Sequence, residues 1–133
     1  CRQTWSVYYP CPTENHLAVF VDAFKNDPSS YYIGVAVNCY TVVGIVSACI
    51  DRSHPGILVC QNHTIFVDPK LSPFVKYSVL SRLLEKIYTF AKTNKCHRIT
   101  WTIGTGTWEA LEKIISKKFP SKQVGVCINS EIV

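Results

Sequence analysis

The sequence predicts an α/β (α+β) domain, a mixed central sheet with helices on both faces. Short apolar stretches rich in Val, Ile and Tyr alternate or run together as strands do. Between them, longer stretches space their apolar residues three and four apart, as amphipathic helices do. The two kinds follow in the order β-α-β-β-β-α-β-α-β, a hairpin meander feeding a strand–helix–strand crossover.

Taken in order, Thr4 to Tyr9 reads as a short strand ended by Pro10 and Pro12. Thr13 is placed to cap a helix with Leu17, Phe20, Val21 and Phe24 on one face, and Asn26-Asp27-Pro28 stops it. Tyr31 to Val37 and Thr41 to Ile50 are strands around a tight Asn38-Cys39-Tyr40 turn. Asp51 to Gly56 is a longer turn, and Ile57 to Val67 the next strand. Asp68-Pro69 ends it, and Lys70 to Lys76, with Pro73 inside, reads as a loop. From about Tyr77 to Thr93 a helix buries Leu80, Leu83, Leu84, Ile87 and Ala91, leaving Lys86 and Lys92 outside. Arg98 to Ile103 is a strand, turned by Gly104-Thr105-Gly106. Thr107 then caps a helix with Trp108, Leu111, Ile114 and Ile115 inward and a Glu109–Lys113 pair outside. Phe119-Pro120 breaks it before a last strand, Val124 to Ile128.

The 133 residues, 47% apolar and 17% charged, suit one folded domain over 1–133. The chain begins at Cys1 and holds no Met, so it reads as a piece of a longer protein. No apolar run approaches the roughly 20 residues that span a bilayer, so no membrane partner is expected. The seven cysteines form no C-x-x-C pair and lack histidines at finger spacing, which argues against a zinc site. Cys39, Cys49, Cys60 and Cys127 fall in apolar strand-like stretches and are expected reduced and buried, hence an intracellular chain in cytoplasm or nucleus. Asn62-His63-Thr64 matches a glycosylation sequon but lies inside a strand.

Charge is uneven. Residues 1–69 hold three basic and five acidic side chains, and residues 70–133 hold eleven and four. The second half therefore suits an anionic partner: phosphates, nucleic acid or an acidic protein face.

The element order and residues 41 to 119 resemble the GNAT superfamily of acyl-CoA-dependent N-acyltransferases. Thr41 to Val46 is similar to that family's Val-Gly third strand, and Ile65-Phe66-Val67-Asp68-Pro69 to its fourth. Leu83 to Ala91 resembles the following helix, and Cys96-His97-Arg98-Ile99 the entry to the fifth strand. The resemblance implies a fourth strand that offers its backbone to pantetheine, and an Arg/Gln-x-x-Gly-x-Gly/Ala loop whose amides cradle the pyrophosphate. It also implies a base on the fourth strand and often a Tyr after the last helix.

This sequence departs from that pattern. The loop positions fall on Val75-Lys76-Tyr77-Ser78-Val79-Leu80, with neither glycine, and the segment from Pro69 to Leu83 is longer than usual. The Tyr position falls on Ile114, the Asn position on Thr107, and the Gly before the final Phe on Lys118. His63 stands near the usual base and has a pKa suited to that role; a strand His that faces solvent or satisfies a neighbour is the plainer reading. Asp68 is read as a turn residue, and Tyr31, Tyr32 and Trp101 as either groove or core. If acetyl-CoA binds, the implied contacts are Ile65, Phe66, Val67, Lys76, Ser78, Val79 and Arg82.

The leading expectation is a GNAT-fold domain with a degenerate acetyl-CoA site, a non-catalytic or weakly catalytic pseudoenzyme that binds a protein, one with acidic groups by charge. The alternative is an active acetyl-CoA-dependent N-acetyltransferase with His63 as base. A third is a basic nucleic-acid-binding surface, which lacks a motif. A ribonuclease H-like fold, suggested by Val19-Phe20-Val21-Asp22-Ala23, fails because Asp22 and Glu85 have no acidic partner on the Ile99–Ile103 strand.

Overall fold

In the computed structural model, which describes residues 14–101 and 108–120, four strands and three helices form one layered unit. The order is α1 (Glu14–Asn26), β1 (Tyr31–Asn38), β2 (Thr41–His54), β3 (Ile57–Val67), α2 (Pro73–Thr93), β4 (Arg98–Thr100) and α3 (Trp108–Lys118). The sheet runs β1-β2-β3-β4, antiparallel for the first two pairings and parallel for the last, so the sheet is mixed as expected. The expected strands Thr4–Tyr9 and Val124–Ile128, the Thr13 and Thr107 caps and the 104–106 turn lie outside the described residues. So do the side chains of Leu17, Phe20, Trp108 and Glu109.

The meander forms because each strand is rich in β-branched or aromatic residues and each turn accepts a left-handed backbone. Between Asn38 and Thr41 the turn consists of Cys39 and Tyr40, at φ 47° and 65°. A two-residue hairpin of that twist needs positive φ at both positions, which Asn-Gly supplies more cheaply. Between His54 and Ile57 the turn is Pro55-Gly56, with Gly56 at φ 75°. That tight turn corrects the longer Asp51–Gly56 loop: β2 continues through Asp51, which caps the Ser53 N–H at 2.8 Å and accepts from Gln61 at 2.9 Å.

Alternation along β2 sends Val46, Ala48 and Ile50 to one face, where they meet Leu83, Ile87, Phe90 and Ala91 of α2. Tyr32 stacks on Phe90 from β1, so of the two neighbouring tyrosines this one is core. Leu84, one residue off that stripe, turns the other way and packs with Leu111, Ile114 and Ile115 of α3. Helix α2 thus packs against both the sheet and α3, with Ile65 and Trp101 shared by the two clusters, and each large side chain buried there contributes about 1.5–3 kcal/mol. Trp101 and Tyr88 both stack on Phe119, which closes the same layer. Helix α1 rests lightly on β1, and Val21, expected on its buried stripe, is exposed.

The boundary of α2 is a second correction. Residues 73–76, read as loop, are helical: Ser72 is the N-cap and Pro73 occupies the first turn. Proline suits that position because its missing N–H would be unpaired there anyway. The far end is closed by Asn94, whose side chain donates to the Phe90 carbonyl at 2.9 Å, and by Lys95 at φ 56°. The chain then enters β4 through His97, whose N–H donates to the Leu58 carbonyl while its Nδ1 accepts from the Leu58 N–H.

Cys60 is buried, Cys49 and Cys96 half-buried, and all three are free thiols. Cys39 is free but exposed at the hairpin tip, which corrects its expected burial: the left-handed turn points it out of the sheet.

Candidate functional site

Strand β3 carries the two places where the resemblance puts chemistry, a base in its middle and an anion cradle at its end. The first is built by an irregularity. From Gly44↔Val67 to Ser47↔Thr64 the β2–β3 ladder is in one register, and from Ala48↔Asn62 to Asp51↔Val59 it is in another. His63 is the residue left over between them, a β-bulge. Such an extra residue is re-aimed by the local kink.

Asn62 holds the bulge. It is fully buried, and its Nδ2 donates to the carbonyls of Ser47 at 3.0 Å and Thr64 at 3.1 Å. Buried carbonyls at a broken ladder need such a donor. This use of Asn62 also removes it from the surface that a glycosylation site requires.

His63 itself keeps an exposed edge, and its Nε2 lies 2.9 Å from the Cys49 thiol on β2. Burial lowers the His63 pKa below its ordinary 6.5. Burial, then the Asp51 carboxylate, raises that of Cys49. Both shifts favour the neutral forms, so one hydrogen is shared between thiol and imidazole rather than an ion pair formed. Two residues before Cys49, on the same face, Ser47 is 3% exposed and its hydroxyl has no partner among the described residues. Tyr31 lies opposite Cys49 on β1, on this same face. Sequence reading singled out His63 but missed Cys49, because positions fourteen apart meet only through the β2–β3 register, which the sequence does not show.

The second place is the turn from β3 into α2. Asp68 donates its N–H to the Val43 carbonyl at 2.8 Å, and its Oδ1 accepts from Lys70 N–H at 2.9 Å. Its carbonyl accepts from Leu71 N–H. Ser72 accepts twice, from Val75 N–H at its hydroxyl and from Lys76 N–H at its carbonyl. Pro69 and Pro73 have no N–H. Among the described residues from Asp68 to Lys76, the amides of Ser72 and Phe74 alone are left over.

The expected cofactor contacts divide accordingly. Ile65, Phe66 and Val67 sit on β3 beyond the bulge, half-buried, and Ile65 and Val67 pack against the α2 core. Val79 faces the sheet: a Cβ at Gly44 would meet Val79 Cγ1 and Leu83 Cδ1 at 3.0 Å each. Lys76, Ser78 and Arg82 lie on the first three turns of α2, past its N-terminus. Ile114, at the position of the usual Tyr, is 7% exposed and buried between helices. Lys118 pairs with Glu85, whose pKa that contact lowers. The loop pattern's two small positions lie within the helix, and of the turn's amides those of Ser72 and Phe74 remain open, with the Asp68 carboxylate on the same turn.

The β3–β4 ladder runs from Val59↔Arg98 to Gln61↔Thr100, ending where the bulge begins. Among the described residues no group of three metal-ligating side chains converges, and no helix is long and apolar enough to cross a membrane.

No family model and no curated protein matches this sequence. Solved structures do. The chain is similar to an aminoglycoside acetyltransferase from an uncultured soil metagenomic sample, solved with sisomicin: 13% identity, TM-score 0.71, covering 95% of this chain and 78% of that one. It is similar to glucosamine-6-phosphate N-acetyltransferase from Arabidopsis thaliana at 10% identity and TM-score 0.71, over 97% and 88% of the two chains. A third is AAC(6')-Iy in complex with the bisubstrate analogue CoA-S-monomethyl-acetylneamine, at 16% identity and TM-score 0.69, over 98% and 86%. The layered sheet, its bulged strand and the helix behind it are the GNAT acyltransferase fold.

Proposed function

We propose that this domain uses the GNAT fold without acyl-CoA turnover, as a non-catalytic or weakly catalytic module that binds another protein. The observation that carries this reading is the β3–α2 turn, which satisfies most of its own donors, those of Lys70 and Leu71 at Asp68 and those of Val75 and Lys76 at Ser72, and places proline at the head of the helix. A fold that transfers acyl groups from CoA has to hold the nucleotide while the thioester reacts, and this turn presents a carboxylate where phosphates need amides.

Binding surface is available nearby. Val37, Tyr40 and Val42 at the β1–β2 tip are exposed, Tyr40 fully, and Phe74 is 82% exposed at the start of α2. Aromatic side chains are enriched at protein interfaces, and these residues offer apolar area for one. Lys86, Lys113 and Lys117 lie exposed on α2 and α3, so the partner we propose brings acidic groups.

The test is a titration of the purified domain with acetyl-CoA, read by calorimetry and by thermal melting. We expect no heat and no rise in Tm at millimolar cofactor. A ligand at 100 times its Kd stabilises by about 2.7 kcal/mol, which a melt resolves. A saturable rise would overturn this reading and favour the alternative, an acetyl-CoA-dependent N-acetyltransferase with His63 as base.

A further inference from the structure

We propose that the Cys49–His63 pair is an acyl-acceptor site, one that takes the acyl group of a small thioester carrying no nucleotide. The acceptor site stands on the bulge geometry, and the choice of a donor without a nucleotide rests on the closed-turn reading above.

Three features place it. The thiol and the imidazole are already in contact, at 2.9 Å, so proton transfer needs no rearrangement. The pair sits where the covered part of this sheet face gives way to solvent: Ser47 is buried, Cys49 half-buried and His63 exposed at one edge. And Ser47 brings to the same face a buried hydroxyl with no partner among the described residues, a group whose burial costs free energy until something accepts from it. The fold does not require that arrangement. Valine at Ser47 and at Cys49 would satisfy the strand pattern, as it does elsewhere along β2.

The step balances as a transthioesterification. The Cys49 Sγ–H proton passes to His63 Nε2 as Sγ attacks the acyl carbon. Negative charge gathers on the former carbonyl oxygen, where the Ser47 hydroxyl donates. The tetrahedral species collapses, the donor's C–S bond breaks, and the leaving thiolate takes the proton back from His63. The products are S-acyl-Cys49 and a free thiol. Because both groups rest in their neutral forms, the imidazole has to act as base during attack, and a raised thiol pKa makes that base matter more.

The choice of donor follows from the other end of β3. A nucleotide-bearing thioester meets the closed turn, whereas the acetyl thioester of N-acetylcysteamine has no phosphate to seat. The experiment incubates the full chain with that compound and follows intact mass, then maps the label by peptide digestion. We expect one acetyl group, on Cys49, removable by hydroxylamine. C49S and C49A should each abolish it, with far-ultraviolet circular dichroism showing that they fold, and C39S should leave it unchanged. H63Q should slow it about a hundredfold, the scale of a general base, and S47A should slow it less. Acetylation on Cys39, Cys60 or Cys96 instead, an H63Q rate equal to the parent's, or no acetylation where free cysteine reacts, would each overturn the proposal. None of these outcomes bears on acetyl-CoA binding, which the titration tests separately.

Discussion

Strand β3 behaves differently at its bulge and at its end. At the bulge, around His63, a thiol–imidazole pair is in contact and, among the described residues, a buried hydroxyl is unpaired. At the end, from Asp68 to Pro73, nearly every donor is consumed by a cap or removed by a proline. A backbone amide that satisfies its neighbours is less available to a ligand, and that difference is what the two proposals above rest on. A shared fold therefore says little about which of its two reactive places a given chain has kept.

The largest expected effect marks how far the closed end is structural. Leu83 sits at 4% exposure between α2 and the sheet, beside the space that Gly44 leaves open. Leu83→Ala should lower unfolding free energy by about 2–5 kcal/mol, the range for a buried leucine lost to a cavity. Urea denaturation measures it. A loss under about 1 kcal/mol would mean that α2 is loosely seated, and the turn could then open to a ligand.

At the bulge, Asn62→Ala should cost less, about 1–3 kcal/mol, because it strips the carbonyls of Ser47 and Thr64 of a buried donor. It should also release His63 from its position, so the same variant is expected to lose acylation of Cys49. Stability lost with acylation kept would break the link between the bulge and the pair.

Much of this contrast was legible in the sequence and part of it was not. Strand and helix stripes such as Val46-Ala48-Ile50 and Leu83-Ile87-Ala91 follow from periodicity alone, and so did the mixed sheet. The helix start was misplaced because Pro73 signals a break unless its position is known to be first in a helix, and Ser72 then becomes the cap. Cys49 was invisible as a partner of His63: their contact depends on the β2–β3 register, in which Cys49 pairs with Gln61 two residues from His63, and a bulge interrupts that register. Side-chain period fixes faces, but a bulge shifts register by one, and nothing in local composition announces it.

Ser72→Ala tests the turn with a smaller effect. The Ser72 hydroxyl accepts from Val75 N–H at a long 3.5 Å, so the expected loss is about 0.5–1 kcal/mol, at the low end for an N-cap. Removing the cap also frees one amide. If acetyl-CoA then raises the Tm of Ser72→Ala but not of the parent chain, the closed turn is what excludes the nucleotide.

The smallest effect is the pH dependence contributed by His63. Its folded pKa lies below the ordinary 6.5 because burial disfavours the imidazolium, so the unfolded chain binds the proton more readily. Stability from this group is complete above 6.5 and is lost as pH falls from there toward the lowered folded value. The carboxylates of Asp27, Asp51 and Glu85, also lowered by their hydrogen bonds, lose their contributions further down, below their ordinary 3.8 and 4.5. The two windows separate on the pH axis, and His63→Gln should flatten the upper one while leaving the lower one intact. The check is urea unfolding at a series of pH values between about 2 and 8, which spans both windows. A parent chain whose stability instead rises as pH falls through 6.5 would mean that His63 gains a proton on folding. An imidazolium beside a thiol that keeps its proton cannot take the Sγ–H proton, and the proposed attack on a thioester would then lack its base.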